Sequence, residues 1–459
     1  MLTNRLNLVV LSSLTTHVLS LAVKRAEPDR SNVVEFAKIT DPTQECAPYW
    51  YPPSDNYPQF PTTWGVANIV AGDTAAQNKW NEIKGKIPNT PPKGVNGDFS
   101  NVQYDNSKDP DCWWTATGCV TPKLAGIAPD VARIPEPLSV GYGFDDGPNC
   151  SHNAFYDYMV QKNQKATMFF IGSNVINWPL QAQRALYDGH EICAHSWSHS
   201  SMTSLSSEQA FAEIYYTVQA IKSVAGVTVT CWRPPYGDTD DRIRAIVNAL
   251  GLSTVLWQYD SDDWKGGAQV DTNYKTFIGQ AKGGEFSKQG TIYLQHEIDE
   301  FTMGKAMEYY PSMKDAFKYM VPVAVALNKT HPYAEAEVEF PTFDEYISGT
   351  VRKPLPDSAL SYLGLTATPP SSASSSPSNS ATGASTSTST TASSGASPSS
   401  PPSSSPVSTP TAPATPTSTR AATNTVPPST PTQPSKPKPG KTMQSFINWL
   451  IGGLKRWGF

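Results

Sequence analysis

The stretch Leu138-Ser139-Val140-Gly141-Tyr142-Gly143-Phe144-Asp145-Asp146-Gly147-Pro148 joins an apolar, strand-like run to two adjacent aspartates and a turn. Similar apolar runs recur downstream, each of a length that suits a buried strand. The predicted strands are Leu138–Phe144, Ala166–Ile171, Glu191–Ala194, Thr228–Trp232, Ser253–Trp257 and Thr291–Gln295. Because these runs alternate with helical patterns, the sequence predicts an α/β fold with a parallel sheet.

Helical candidates lie between the strands, and polar side chains lie at the strand ends. The predicted helices are Asp73–Lys84, Asn153–Lys162, Pro179–Asp188, Ser206–Val224, Asp240–Leu250, Thr272–Lys282 and Gly304–Leu327. The polar residues that follow the predicted strands are Asp145-Asp146, His195, Arg233, Asp263 and His296. Active sites of β/α barrels lie at the carboxyl ends of the strands, so the pattern favours a barrel. An open doubly wound sheet would use the same edge, but no nucleotide-binding glycine motif follows the first strand.

The segment His195-Ser196-Trp197-Ser198-His199 and the aspartate pair together suggest a metal site. Histidines four residues apart face one side of a strand or helix, so both can reach one ion. One aspartate can bind the metal while the other stays free as a base. Surface histidines, an Asp-Gly-Pro turn or a glycosidase carboxylate pair would explain single features. The combination favours metal-assisted hydrolysis.

Three further segments add polar groups of the kinds that catalysis needs. Arg233 precedes the rigid Pro234-Pro235 turn, where it can hold a carboxylate in its ionised form. The run Asp260-Ser261-Asp262-Asp263-Trp264 places acids beside an aromatic residue but lacks the spacing of a calcium loop. His296 ends the last predicted strand, and taken alone it is as easily a structural histidine.

Composition divides the chain into a globular part and a tract that cannot fold into one. The chain has 459 residues and a net charge of −5, without a basic stripe that would argue for nucleic acid. Residues 366–440 are almost all Ser, Thr, Pro and Ala, which predicts a disordered linker. The predicted organisation is a signal peptide (1–22), an irregular N-terminal extension (23–136), a catalytic domain (137–330), the rest of the globular region (331–365), the linker, and a tail (441–459).

The cysteines fit a secreted protein. The count is even and allows 15 pairings of the six residues: Cys46, Cys112, Cys119, Cys150, Cys193 and Cys231. Cys112 and Cys119 are close enough in sequence to favour that one pair. Asn149 and Asn328 begin glycosylation sequons, and the first lies beside the aspartate pair.

The polar motifs, taken together and in order, resemble carbohydrate esterase family 4, the polysaccharide deacetylases with NodB homology. The matching motifs are Phe144-Asp145-Asp146-Gly147-Pro148, His195-Ser196-Trp197-Ser198-His199, Arg233-Pro234-Pro235-Tyr236-Gly237, Asp260-Ser261-Asp262-Asp263-Trp264 and Leu294-Gln295-His296. Where Gly143 stands, the family usually has Thr or Ser. The resemblance covers about 137–330 and implies a distorted (β/α) barrel.

The resemblance also implies a division of labour among these residues. Asp146, His195 and His199 would bind one divalent metal ion, zinc in the first place and cobalt as an alternative. Asp145 would be the general base and His296 the general acid, oriented by Arg233 and Asp263 respectively. Tyr236 would contribute its backbone N–H to the oxyanion, while Trp264 and Leu294 would line the pocket for the acetyl methyl group.

The substrate and the location follow from the same resemblance. The export signal, the extension and the Ser/Thr/Pro tract are similar to those of fungal chitin deacetylases, which implies hydrolysis of N-acetyl groups of chitin at the cell wall. Xylan or peptidoglycan would be alternative substrates, and a non-catalytic glycan-binding protein is a third hypothesis. The apolar tail could be the signal for a lipid anchor at the plasma membrane, although Lys455-Arg456 interrupts it. It could equally be an amphipathic helix that lies in the membrane interface.

Overall fold

The computed structural model describes residues 28–365, all of which belong to one compact unit of the chain. The predicted signal peptide, linker and tail lie outside these residues. Within the described range, no helix combines the length and apolar character that crossing a bilayer requires.

The core of the unit is a parallel sheet that curves around the site. Its strands are β1 (Ser139–Gly147), β2 (Thr167–Phe170), β3 (Glu191–Ala194), β4 (Cys231–Trp232), β5 (Ser253–Thr254), β6 (Tyr259–Asp260), β7 (Thr291–Leu294) and β8 (Tyr319–Val321). They pair in the order β5-β4-β3-β2-β1-β7-β6, and β8 also pairs with β1. Val131 of the N-terminal extension bridges Val255 in parallel, just after β5. The distorted barrel predicted from the sequence is confirmed.

The helices cover the outside of the sheet. They are α1 (Val33–Phe36), α2 (Pro42–Glu45), α3 (Thr74–Ile83), α4 (Trp114–Thr117), α5 (Asn153–Gln161), α6 (Gly172–Asn177), α7 (Pro179–Tyr187), α8 (Ser207–Ala225), α9 (Asp241–Ala249), α10 (Gln269–Lys282), α11 (Glu300–Ala316), α12 (Val323–Ala326), α13 (Phe343–Ile347) and α14 (Asp357–Tyr362). Helix α8 begins with the capping box that Ser206 and Gln209 predict.

The structure corrects the prediction at the end of the barrel. The helix expected over Gly304–Leu327 ends at Ala316, because Phe317 is extended and Tyr319–Val321 pairs with the first residues of β1. Strand pairing inside the barrel outweighs the local helical pattern there. Strand β6 has only two residues and α6 only six, so neither gave a clear periodic signal in the sequence.

The N-terminal extension has short helices and irregular segments and is linked to the barrel covalently. A disulfide joins Cys46 of the extension to Cys150 of the barrel, just before α5. Another disulfide lies within the barrel and joins Cys193 of β3 to Cys231 of β4. The predicted Cys112–Cys119 disulfide is confirmed and closes a loop within the extension.

Candidate active site

The two aspartates lie within β1, not beyond its end, and the second of them forms a bulge. Asp145 pairs with Phe169 of β2 and Gly147 pairs with Phe170, so Asp146 is the extra residue. Its φ of 72° lies in the left-handed region, which costs a residue with a side chain about 1–3 kcal/mol. In a regular strand neighbouring side chains face opposite sides, and the bulge removes that constraint. Both carboxylates therefore face the same site.

Three atoms form a compact ligand set at the centre of the site. Asp146 Oδ1 lies 3.2 Å from His195 Nε2 and 3.0 Å from His199 Nε2. Among the described residues, two other groups of potential metal ligands contain pairs of cysteines, and each pair is joined in a disulfide. Asp146, His195 and His199 are thus the group whose ligand atoms remain available.

The hydrogen bonds of these residues fit a bound cation. His195 Nδ1 lies 2.8 Å from the carbonyl oxygen of Arg233, which can only accept, so a neutral His195 keeps a lone pair on Nε2. Asp146 Oδ1 is buried, and no described residue donates a hydrogen bond to it. A lone pair facing an unpartnered carboxylate oxygen at 3.2 Å is stable only with a positive charge between them. The donor set suits a divalent metal such as zinc.

Asp146 is held in its ionised form. Burial raises the pKa of this carboxyl group, but the positive charge that His199 and His195 carry when protonated outweighs burial and holds the pKa well below its usual range. A bound cation at the same place would favour the carboxylate in the same way. His199 Nδ1 lies 3.1 Å from the hydroxyl of Tyr236, whose oxygen can accept a hydrogen bond from Nδ1–H and leave the lone pair of Nε2 free.

Asp145 lies beside the ligand set and is paired with Arg233. The guanidinium of Arg233 donates to Asp145 Oδ1 at 2.7 Å, and both side chains are buried. The other oxygen, Oδ2, lies 3.7 Å from His195 Nε2 and faces the ligand atoms. The guanidinium lies over the ring of Phe169 at 3.8 Å, which fixes its plane. One carboxylate oxygen is thus occupied and the other faces the site.

His296 follows β7 and therefore lies on the side of β1 that faces away from β2, where it is the bridge partner of Asp145. The backbone N–H of Asp145 bonds to the carbonyl oxygen of Gln295, and that of Glu297 bonds to the carbonyl oxygen of Asp145. His296 Nδ1 lies 2.5 Å from Asp263 Oδ1, and its backbone N–H donates to Asp263 Oδ2 at 3.0 Å. Burial by itself lowers the pKa of His296, but the pairing with Asp263, together with the charges of Asp146 and Asp145, outweighs burial and raises the pKa to about 10. At neutral pH the imidazole is protonated, with Asp263 occupying Nδ1.

The remaining predicted residues differ in their exposure. Tyr236 is half exposed and has a φ of 60°, in the left-handed region. Trp264 is 40% exposed and directly follows Asp263, whereas Leu294 is buried at the end of β7. Tyr236 and Trp264 thus offer aromatic surface to solvent, and Leu294 is part of the barrel wall.

The space at position 143 explains why this chain has glycine there and not the Thr or Ser that the resembling motif would carry. A Cβ atom at this position would lie 2.7 Å from the carbonyl oxygen of Thr167 and 3.5 Å from the ring of Phe169. Contacts below 3.0 Å force neighbouring backbone to move, so β1 and β2 approach more closely here than a larger residue allows.

Sequence reasoning explained the two histidines incorrectly. The His195–His199 segment is neither strand nor helix, and Ser196 and His199 both have left-handed backbone angles, with φ of 62° and 56°. The backbone N–H of His199 donates to Ser196 Oγ at 3.0 Å and closes the turn. The histidines meet because of this turn, which no periodic pattern predicts. Sequence reasoning also overlooked Glu213 of α8, whose carboxylate accepts hydrogen bonds from this segment.

A family profile and two curated relatives identify the family of this chain. A family profile described as Polysaccharide deacetylase matches residues 133–255. The solved structure of a chitin deacetylase from Colletotrichum lindemuthianum is 20% identical, with a TM-score of 0.41 over 44% of this chain and 92% of that one. Chitin deacetylase 2 of Cryptococcus neoformans var. grubii is 49% identical over 339 residues, 71% of this chain and 74% of that protein. Chitin deacetylase of Amylomyces rouxii is 43% identical over 316 residues, 66% and 75% respectively. The chain belongs to the polysaccharide deacetylase family.

Proposed function

We propose that this chain removes N-acetyl groups from chitin by metal-dependent hydrolysis, giving glucosamine units and acetate. The observation that carries the proposal is a buried carboxylate, Asp145, whose free oxygen faces the ligand set, and an imidazole, His296, that is its bridge partner and is paired with Asp263. The substrate is supported by relatives that are 49% and 43% identical and are named chitin deacetylases.

Asp146, His195 and His199 would hold the metal, zinc in the first place and cobalt as an alternative. When bound, such an ion polarises the acetamide carbonyl and lowers the pKa of water. Removal of the metal with a chelator should abolish acetate release, and zinc or cobalt should restore it. Unchanged activity of the metal-free protein would contradict the proposal.

Asp145 would accept a proton from the attacking water. The water oxygen forms a bond to the acetyl carbon, and Oδ2 is the oxygen that faces the ligand set. Arg233 occupies Oδ1 and keeps the carboxylate ionised and oriented for this step. The backbone N–H of Tyr236 would stabilise the oxyanion that forms.

His296 would supply the proton that the departing nitrogen needs. Breaking the C–N bond leaves an amide anion unless the nitrogen is protonated, and Asp263 keeps His296 in the form that can donate. Since Nδ1 is bound to Asp263, the proton leaves from Nε2. The water proton goes to Asp145, the imidazole proton to the amine, and acetate departs. Leu294 and Trp264 would contact the acetyl methyl group.

Substrate choice is tested by comparing acetylated polymers directly. The purified protein should release acetate from chitin pentamer far faster than from acetylxylan or peptidoglycan fragments, with mass spectrometry of the products and metal content from the same sample. Faster acetate release from acetylxylan or peptidoglycan would show that chitin is the wrong substrate, but the proposed hydrolysis of acetyl groups would stand. Absence of acetate from all three would favour a glycan-binding role.

We also propose that the protein is exported and acts at the cell wall, with residues 137–330 as the catalytic domain and 366–440 as a linker. The disulfides between Cys46 and Cys150 and between Cys193 and Cys231 support an oxidising destination. Release from cells by a phosphatidylinositol-specific phospholipase would support a lipid anchor after the linker. Recovery of the intact C-terminal peptide from the mature protein would contradict it.

A further inference from the structure

Glu213 lies on α8, outside every motif that suggested the active site, and its side chain is fully buried. Its carboxylate accepts four hydrogen bonds. Oε2 accepts from the backbone N–H groups of Trp197 at 2.9 Å and Ser198 at 2.8 Å. Oε1 accepts from the hydroxyl of Ser198 at 2.7 Å and from the backbone N–H of Ala67 at 2.8 Å. All four donors point at one carboxylate, so both of its oxygens are occupied.

Three of these donors belong to the segment that carries two of the proposed metal ligands. Trp197 and Ser198 lie between His195 and His199, where the chain is neither helix nor strand. Two residues of this segment, Ser196 and His199, have left-handed backbone angles that the surroundings must maintain. The carboxylate of Glu213 accepts hydrogen bonds from two backbone N–H groups of this segment that have no partner in a sheet or helix.

The fourth donor brings the N-terminal extension to the same place. Besides the bond from Ala67, the indole N–H of Trp197 donates to the carbonyl oxygen of Thr62 at 3.0 Å. The ring of Phe60 stacks on Trp197 with centroids 5.6 Å apart. One carboxylate on α8 therefore connects the extension to the turn between the two histidines.

We propose that Glu213 is a positioning residue for the metal site, which it serves by fixing the His195–His199 turn against the extension. The inference rests on the proposed metal binding by Asp146, His195 and His199. Glutamine at position 213 would turn an NH₂ group toward N–H donors, so at least one of the bonds to the turn would be lost. Partners beyond the ligands themselves commonly change metal affinity about 10- to 100-fold.

Glu191 provides a matched control. It is also a buried glutamate that accepts a backbone N–H, from Ala324 at 2.9 Å, and a hydroxyl, from Thr167 at 2.7 Å. It lies at the amino end of β3, whereas His195 follows the carboxyl end. Glu191→Gln therefore perturbs the interior to a similar degree without touching the turn.

The test measures zinc transfer from the loaded, full-length protein to a chromophoric chelator, together with the equilibrium zinc affinity. Glu213→Gln should weaken zinc binding at least tenfold, and Glu191→Gln should leave the affinity within about twofold of wild type. Equal zinc affinities in Glu213→Gln and wild type, or equal losses in both variants, would overturn the inference.

A second variant keeps the test decisive where Glu213→Gln does not fold. Ser198→Ala removes the hydroxyl bond to Glu213 together with a contact to the Ser200 hydroxyl, and leaves both backbone bonds to Glu213 in place. It should weaken zinc binding severalfold with an unchanged thermal unfolding midpoint, and Ser200→Ala, which removes only the contact between the two hydroxyls, is its control. Unchanged zinc affinity of this variant would then contradict the inference. Wild-type protein that binds no zinc would instead contradict the proposed metal site, so the two failures are distinguishable.

Discussion

The backbone carbonyl of Arg233 lies 2.8 Å from Nδ1 of His195, and the two residues are thereby fixed to each other. The guanidinium of the same arginine donates to Asp145. A single residue at the end of β4 thus orients both a proposed metal ligand and the proposed base. Any displacement of this strand end should affect metal binding and proton transfer together.

Replacement of the proposed base should separate binding from chemistry. Asp145→Asn keeps the shape of the side chain but cannot accept the proton, so acetate release should fall by about a hundredfold to ten-thousandfold. Metal content, measured on the same preparation, should stay near that of wild type because Asp146 and the histidines remain. A variant with near-full activity would show that another group is the base.

The pairing of His296 with Asp263 should set the alkaline limit of activity. Asp263 is the main group that raises the pKa of His296, with smaller contributions from Asp146 and Asp145, so wild type should keep kcat/KM well above the ordinary pKa of a histidine. Asp263→Asn removes the carboxylate, lowers the pKa of His296 and should move the alkaline limb of the pH profile to lower pH. His296→Gln should abolish the limb along with most of the activity. An unshifted limb in Asp263→Asn would contradict this assignment.

Stability should depend on pH through Glu45, which is remote from the metal ligands. Burial raises the pKa of Glu45 to about 8, although its carboxylate accepts a hydrogen bond from the backbone N–H of Asn153. An acid with a raised pKa in the folded state stabilises the protein fully below its unfolded pKa, and this stabilisation is lost as pH rises through 8. The upper limit of the loss is on the order of 4 to 5 kcal/mol.

Glu45→Gln, which cannot ionise, should therefore flatten the fall in the free energy of unfolding between about pH 5 and 8. Denaturant unfolding at several pH values measures this slope. A slope identical to that of wild type would show that Glu45 does not carry the effect. Glu335→Gln serves as a control, because the pKa of Glu335 is lowered and the residue is only partly buried.

Introducing the residue usual in related proteins at position 143 should harm this one. Gly143→Ser places a Cβ atom 2.7 Å from the carbonyl oxygen of Thr167 and should cost about 1–3 kcal/mol of unfolding free energy, with some loss of activity. Gly279→Ala is the control, since it lies in α10 with no atom near its Cβ position and should stabilise by up to about 1 kcal/mol. A neutral or stabilising Gly143→Ser would show that β1 and β2 can separate here.

Much of the fold was predictable from local pattern. Six strands and most helices of the barrel produced clear apolar periodicity, and the order of polar residues at the strand ends predicted which edge carries the site. One exception was β6, which has two residues like β4 and β5 but no apolar run of its own. The other was the segment Tyr319–Val321, where pairing with β1 outweighed a local helical pattern.

The sequence by itself determined which chemical groups meet: Asp145, Asp146, His195, His199, Arg233, Asp263 and His296 all follow from their motifs and strand ends. Only the tertiary structure decided how they face one another. The bulge at Asp146, the left-handed turn at Ser196 and His199, and the anchoring of that turn by Glu213 depend on contacts between distant segments. Strained backbone persists only where surrounding packing and hydrogen bonds enforce it, and those partners have no fixed spacing in the sequence.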